Sequence, residues 1–307
     1  MDYKVFTEKS IKYLTRYIDR NKLQSLVLGI SGGIDSTVVA ALASEACKKT
    51  GAKLIGRSLP AHTNNPEEIN TATLVGQAFC DDFKEVAIEK IYAKVADEFE
   101  LNEGKMSTLQ LGNIKARLRM MYLYNLASIH RGCVLDTDNR TEHELGFWTI
   151  HGDVGDLNCG LIHLWKTEVY ELAEYLLKTY DNIWRIYDDF DADKNPEASY
   201  KADVACAKYT ALEASIALTP TDGNGVMSGG DCAQFGLDNY SQVDDVLKTM
   251  YFSNITDETQ KANEYIRLVD SYNEQGVDSV MVRHQNSAFK RLPQPIYPLK
   301  EEFGLWE

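Results

Sequence analysis

Apolar residues recur along this chain in two rhythms, a helical one and a strand-like one, and their alternation sets the expected fold. Within residues 4–20, Val5, Ile11, Tyr13, Leu14, Tyr17 and Ile18 fall at near-helical spacing, which predicts an amphipathic helix laid against the core or a partner, core packing being the simpler role. Residues 26–30, LVLGI, form an apolar run of strand length that empties into SGGIDST at 31–37, and 38–47 then reads as a helix stopped at Gly51. A second strand is expected at 53–57. Asn65, Pro66 and Glu68 supply an N-cap, an N1 proline and a capping-box acid for a helix reaching Phe79. There follow a strand at 83–88, a helix from Glu89, and a long helix over 108–130 with Leu111, Ile114, Leu118 and Met121 on one stripe. A strand at 132–135 and an amphipathic helix at 166–178 come next. Residues 181–209 turn polar and irregular, and are expected to form an insertion on the rim.

Repeated strand–helix alternation predicts an α/β fold with a doubly wound, mainly parallel sheet and right-handed crossovers, in one domain over 1–307. Ligands of such sheets collect at the carboxyl ends of strands, and both SGGIDST and the segment 136–142 leave such ends. A glycine loop between strand and helix is an anion site, because the first helical N–H groups are unpaired and carry the positive end of the helix dipole. Gly29, Gly32 and Gly33 let the backbone approach a phosphate, Gly32 and Gly33 are expected to permit positive φ, and Ser31 and Ser36 add hydroxyls. The Walker loop would carry a lysine. Here Asp35 stands inside the loop instead, which suits a phosphate cradle only where a cation bridges carboxylate and phosphate, so Asp35 is a candidate Mg²⁺ ligand.

Composition narrows the partners. With 32 basic and 46 acidic residues the net charge is −14, a surface from which a polyanion gains nothing, so nucleic acid is an unexpected partner and a nucleotide must be held by local cations. The six cysteines show no metal-ligand spacing and read as reduced core thiols. No window is apolar enough to cross a bilayer and the N-terminus has no signal-like apolar region, so a cytoplasmic protein is expected. Two decoys are set aside: SGGD at 228–231 lacks a preceding strand, and the Asp189, Asp191, Asp193 alternation departs from a calcium loop at Lys194 and Tyr200 and reads as a solvated acidic turn.

Two residues distant from the loop have chemical readings of their own. Glu142 follows the strand that ends near Leu135, where its carboxylate would share a cation with Asp35; it also reads as a first-turn helix acid. Lys166 opens a helix, a costly place for a cation unless an anion such as a phosphate lies nearby; otherwise it is a surface lysine.

The SGGIDST loop resembles that of the N-type ATP pyrophosphatases. The later motifs GNIKAR at 112–117, TDNRTE at 137–142, WKTEVYEL at 165–172, TPTDG at 219–223, VDDVL at 243–247 and FKRLP at 289–293 are similar, in order and spacing, to those of ammonia-dependent NAD synthetases. The resemblance implies an adenine nucleotide alpha hydrolase-like fold and adenylation of deamido-NAD by ATP, followed by attack of ammonia. It further implies a homodimer and a C-terminal tail, about 280–307, closing over the site. It assigns Arg57, Thr137, Lys166 and Thr221 with the loop to ATP, Asp35 and Glu142 to Mg²⁺, and Arg117, Asp156 and Lys290 to deamido-NAD. The chain departs from the family pattern at Ile150, where a lysine is usual, at Val154 and Asp136 for glycines, at Leu157 for an aspartate and at Phe289 for a histidine. The ATP half therefore matches while the dinucleotide half is altered, which leaves room for a different carboxylate substrate or for a nucleotide sensor without turnover.

Overall fold

The computed structural model describes residues 1–188, 195–221 and 231–292. Five parallel strands, β1 (Ser25–Gly29), β2 (Lys53–Ser58), β3 (Asp82–Glu85), β4 (Gly132–Asp136) and β5 (Leu157–Asn158), form one sheet in the order β3-β2-β1-β4-β5. The order reverses direction between β1 and β4, so the loops after those strands diverge and leave a crevice.

Strand alternation divides the core. Leu26, Leu28, Leu54, Cys133 and Leu135 face the helices α1 (Tyr3–Asn21), α2 (Ile34–Thr50), α3 (Pro66–Phe79), α7 (Lys166–Asp188) and α8 (Pro196–Ala217), whereas Val27, Ile55 and Val134 pack with Leu126 and Ala127 of α5 (Thr108–Ile129). On that second side α4 (Glu89–Glu103) and α5 enclose Leu59, Ile88, Tyr92 and Leu118. A further apolar cluster joins the short α6 (Arg140–Leu145) to α9 (Tyr240–Tyr251), α10 (Glu258–Ser271) and α11 (Glu274–Asn286) through Leu145, Trp165, Val246, Leu268 and Val280.

Several sequence expectations hold in detail. The N-terminal helix buries Ile11, Leu14 and Ile18, and Asn65 with Glu68 forms a reciprocal capping box behind Pro66. The irregular rim insertion expected at 181–209 is corrected: α7 continues to Asp188 and α8 begins at Pro196, packed along α7 and α3. Its buried stripe is Ala198, Ala202, Ala205, Ala211 and Leu212, residues too small to mark an apolar face in a polar sequence. Lys208 on the same helix is buried and pairs with Glu45 at 2.8 Å. The third strand stops at Glu85 rather than at 88 because its partner β2 ends at Ser58, which accepts from Val86; Ile88 donates beyond that strand to Pro60 and caps α4. Asp189, Asp191, Asp193 and Lys194, the last two residues of TPTDG, the first three of SGGD, and the tail beyond Leu292 lie outside the described residues. All six cysteines are free thiols, and burial pushes Cys47, Cys133 and Cys159 up to about 12. Among the described residues no helix is long and apolar enough to cross a membrane.

Candidate active site

A cleft of about 360 Å³ opens at the carboxyl ends of β1 and β4, lined by the SGGIDST loop, by Thr137, Asp138 and Glu142, and by Lys166. The two loop glycines have different tasks. Gly32 adopts φ +87°, and a side chain there would meet the Glu68 carbonyl at 2.5 Å and the Ala72 amide nitrogen at 2.9 Å. Gly33 corrects the expectation of positive φ: it is the extended N-cap of α2, with φ −67°, and a Cβ there would meet only Ser31 Oγ at 3.3 Å. Gly33 therefore leaves the helix N-terminus open rather than relieving backbone strain. The serines knit the loop together, Ser36 Oγ donating to the Gly33 carbonyl at 2.9 Å and Gly33 N–H to Ser31 Oγ at 3.2 Å.

Residues that sequence reasoning did not single out hold the loop from below. Ser215 of α8, fully buried, donates to the Gly32 carbonyl at 2.9 Å, and its Oγ lies 2.9 Å from Thr37 Oγ1. Ser215→Ala is expected to lower stability by about 1–2 kcal/mol and to raise KM for ATP severalfold; an unchanged KM for ATP in a variant with a lowered melting temperature would leave Ser215 with a packing role only.

Lys166 stands at the centre of the constellation. Its Nζ lies 2.5 Å from Asp35 Oδ2 and 3.0 Å from Glu142 Oε1, and Asn139 Nδ2 donates to Asp35 Oδ1 at 2.8 Å. Three elements thus converge: the first turns of α2, α6 and α7. The two readings of Glu142 are both true of this geometry, because the carboxylate that receives Lys166 also closes a capping box with Asn139 at the start of α6. Asn139 was missed, although the N-cap, x, x, Glu spacing of NRTE carried the signal. Burial, and then the charge of Asp35, raises the Glu142 carboxyl to about 7 despite Lys166. Burial disfavours charge on Lys166, yet Asp35 and Glu142 outweigh it and hold the ammonium well above its ordinary value. Asp138, beside them, is raised by burial and by Asp136 and Glu142. Negative charge thus exceeds the single ammonium that meets it. Two oxygen-donor carboxylates with surplus charge, facing a phosphate loop, fit a hard divalent cation such as Mg²⁺; no cluster of three His, Cys, Asp or Glu exists among the described residues, so the remaining ligands would be phosphate and water.

The other candidates fall into two groups. Thr137 and Thr221 line the cleft, but Thr221 Oγ1 is hydrogen-bonded to Glu68. Arg57 also lines it, yet its guanidinium is turned onto Asp82 at 3.0 Å, holding that carboxyl below its usual range and leaving only Nε unpartnered. Arg117, Asp156 and Lys290 do not line the cleft. They gather on its rim, around the segment 146–156: Arg117 donates to the Ile150 carbonyl at 3.4 Å, Lys290 to the carbonyls of Gly146 and Trp148, and Asp156 accepts from Tyr124, which does line the cleft, at 2.8 Å. Leu157 is buried in β5 opposite Leu135 while Asp156 is exposed, so Asp156 is the acid that faces outward at this place. Asp136, standing where a glycine is usual, is a clamp: it accepts from Asn158 at 2.7 Å and from the Gly155 amide at 3.3 Å, fixing β5 and the loop before it. Arg119 is a cleft residue that sequence reasoning missed, donating to the Leu59 carbonyl at 2.9 Å and to Asn64 at 3.0 Å; it lies one turn from Ala116 and from Leu123 on the face of α5 that lines the cleft.

The family model for NAD synthase matches residues 6–204, which contain the loop, Glu142, Lys166 and the first turns of α8. An NH(3)-dependent NAD(+) synthetase of Campylobacter jejuni is 32% identical over 176 residues, 57% of this chain and 69% of the relative, and that of Pyrococcus furiosus is 36% identical over 169 residues, 55% and 63%. The fold is shared with the NMN synthetase of Francisella tularensis (TM-score 0.69, 23% identity, 97% and 99% of the two chains) and with the NH3-dependent NAD synthetase of Campylobacter jejuni (TM-score 0.62, 23% identity, 97% and 100%). A strand-end glycine loop, two carboxylates sharing a buried lysine and a family match covering all of them lead to one conclusion: the chain belongs to the NAD synthase family.

Proposed function

We propose that this chain converts deamido-NAD to NAD with ATP and ammonia, through an acyl-adenylate, releasing pyrophosphate and AMP. The observation that carries the proposal is the meeting of Asp35, Glu142 and Lys166 at the mouth of the SGGIDST loop in a member of this family. The nicotinate carboxylate attacks the α-phosphorus of ATP and pyrophosphate leaves. Ammonia then attacks the acyl carbonyl and AMP leaves. The α2 N-terminus, kept open by Gly33, receives the pyrophosphate end, and Lys166 moves from the carboxylates toward a phosphate oxygen to steady developing charge. Asp35 and Glu142 would hold Mg²⁺, which neutralises phosphate charge when bound. Six free thiols accord with work in a reducing cytoplasm. The test is incubation of ATP, deamido-NAD and ammonium with detection of NAD and pyrophosphate; absence of both products rejects the proposal.

We also propose a homodimer. Leu109, Met121 and Ile129 expose apolar surface along α5, and sedimentation showing only monomer at micromolar concentration would reject it.

A specific observation favours a second reading, in which the acid amidated is a mononucleotide. Ile150 offers no cation where the family has lysine, and Arg117 and Lys290 spend donors on the carbonyls of 146–150 rather than facing the cleft. One neighbour of the same fold is named an NMN synthetase. Ile150→Lys is expected to lower KM for deamido-NAD by roughly tenfold, the worth of one charge-assisted hydrogen bond, with KM for ATP unchanged. If it instead weakens deamido-NAD binding, and the wild type prefers the mononucleotide acid in kcat/KM, the second reading replaces the first.

A further inference from the structure

We infer that Asp244, on α9 outside the cleft, is a positioning residue that sets the spacing between Glu142 and Lys166 by holding the first turns of α6 and α7 together through Thr141. The inference rests on the amidation reading above.

The geometry is a short chain of hydrogen bonds. The backbone N–H of Lys166 donates to Thr141 Oγ1 at 2.8 Å, and the Thr141 hydroxyl donates to Asp244 Oδ1 at 2.5 Å. Asp244 Oδ2 accepts from the Thr167 N–H at 3.0 Å and from the Thr167 hydroxyl at 2.8 Å. Asp244 is 1% exposed and Thr141 0% exposed, so no water substitutes for a lost partner at either position. Thr141 immediately precedes Glu142, and Thr167 immediately follows Lys166. One carboxylate therefore fixes the backbone on either side of the pair that meets at 3.0 Å.

An ordinary helix cap satisfies the amides of its own helix. Here Glu168 of α7 accepts from the Trp165 N–H at 2.9 Å, but the Lys166 and Thr167 amides are met from two other elements, Thr141 of α6 and Asp244 of α9, while the cap of α6 is Asn139, which also holds Asp35. No residue of α9 lines the cleft. The other approach of α9 to the pair, Tyr240, whose ring lies 5.3 Å from Lys166 Nζ, makes no side-chain hydrogen bond to Asp244, so Asp244 itself acts through Thr141 and Thr167; displacement of catalytic groups by about an ångström costs up to about a hundredfold.

The test uses full-length Thr141→Val, Thr141→Ser and Asp244→Asn in ATP–pyrophosphate exchange with deamido-NAD, with MgATP affinity measured alongside by calorimetry. Valine keeps the volume of threonine and breaks the chain; serine restores the hydroxyl. Thr141→Val and Asp244→Asn are expected to lower kcat for exchange by ten- to a hundredfold, roughly, and to raise KM and Kd for MgATP severalfold, with KM for deamido-NAD unmoved. Thr141→Ser is expected to stay within about twofold of wild type. A lowered melting temperature with all kinetic constants unmoved overturns the inference, as does Thr141→Ser impaired as badly as Thr141→Val. Should Asp244→Asn not fold, the threonine pair decides alone. A wild type with no exchange at all defeats the amidation reading instead, and the calorimetric arm still reads whether Thr141→Val loosens MgATP.

Discussion

Lys166→Met is expected to reduce kcat for pyrophosphate exchange by roughly 10²–10³, the usual cost of removing one preorganised donor from a transition state that gains negative charge. Lys166 is 4% exposed and contacts both Asp35 and Glu142, so its loss also leaves two carboxylates facing one another without a counter-ion. Breaking a buried pair in this way costs about 3–5 kcal/mol. Stability and catalysis are separable, however. Adding Glu142→Gln removes one of the stranded charges, so the double variant should melt closer to wild type than Lys166→Met alone, while its turnover stays as low or falls further. Asp35→Asn should lower turnover comparably. Turnover of Lys166→Met within tenfold of wild type at saturating magnesium would reject the assignment of this lysine to the phosphates.

How much of this site the sequence reveals depends on the kind of contact involved. Local signals are legible: the loop at 31–37, the Asn65–Glu68 box and the helix opened by Lys166 each announce themselves within a few residues, because caps and turns are short-range chemistry. Long-range partners are not. Nothing near Lys166 in sequence predicts that its ammonium lies between carboxylates 131 and 24 residues away, nor that Ser215 supports a carbonyl 183 residues distant. Composition also misleads where burial is achieved with small side chains. The alanines of α8 at 198, 202, 205 and 211 are buried, yet Lys201, Asp203 and Lys208 give that stretch a polar cast. Lys208 is buried despite its charge because Glu45 meets it, a pairing invisible without the fold. Likewise, the departures at Asp136 and Leu157 look like lost functional groups in sequence. In the structure Asp136 is the clamp for Asn158 and Gly155, and Leu157 completes β5 beside an exposed Asp156.

Gly32→Ala is expected to remove ATP binding and a large part of the stability together, and the reason is geometric. At φ +87° any side chain costs about 1–3 kcal/mol in backbone strain alone. The added methyl would also stand 2.5 Å from the Glu68 carbonyl oxygen and 2.9 Å from the Ala72 nitrogen. Both are backbone atoms of α3, which cannot retreat without disturbing the capping box of Asn65 and Glu68 and, through the Glu68 side chain, Thr221 at the cleft. The loop must move instead, and with it the Gly32 carbonyl that Ser215 holds. Gly33→Ala supplies the control. Its φ of −67° suits alanine, and its Cβ would touch only the movable hydroxyl of Ser31 at 3.3 Å, so the melting temperature should stay near wild type. A methyl at the N-cap of α2 nonetheless crowds the amides that a phosphate would approach, so ATP affinity should fall by about tenfold or more, a loss of one charge-assisted contact. Calorimetry and thermal melting on the two variants therefore give different signatures: both quantities lost at position 32, affinity alone at position 33. Equal and mild behaviour of the two would mean that the loop yields where the packing against α3 says it cannot.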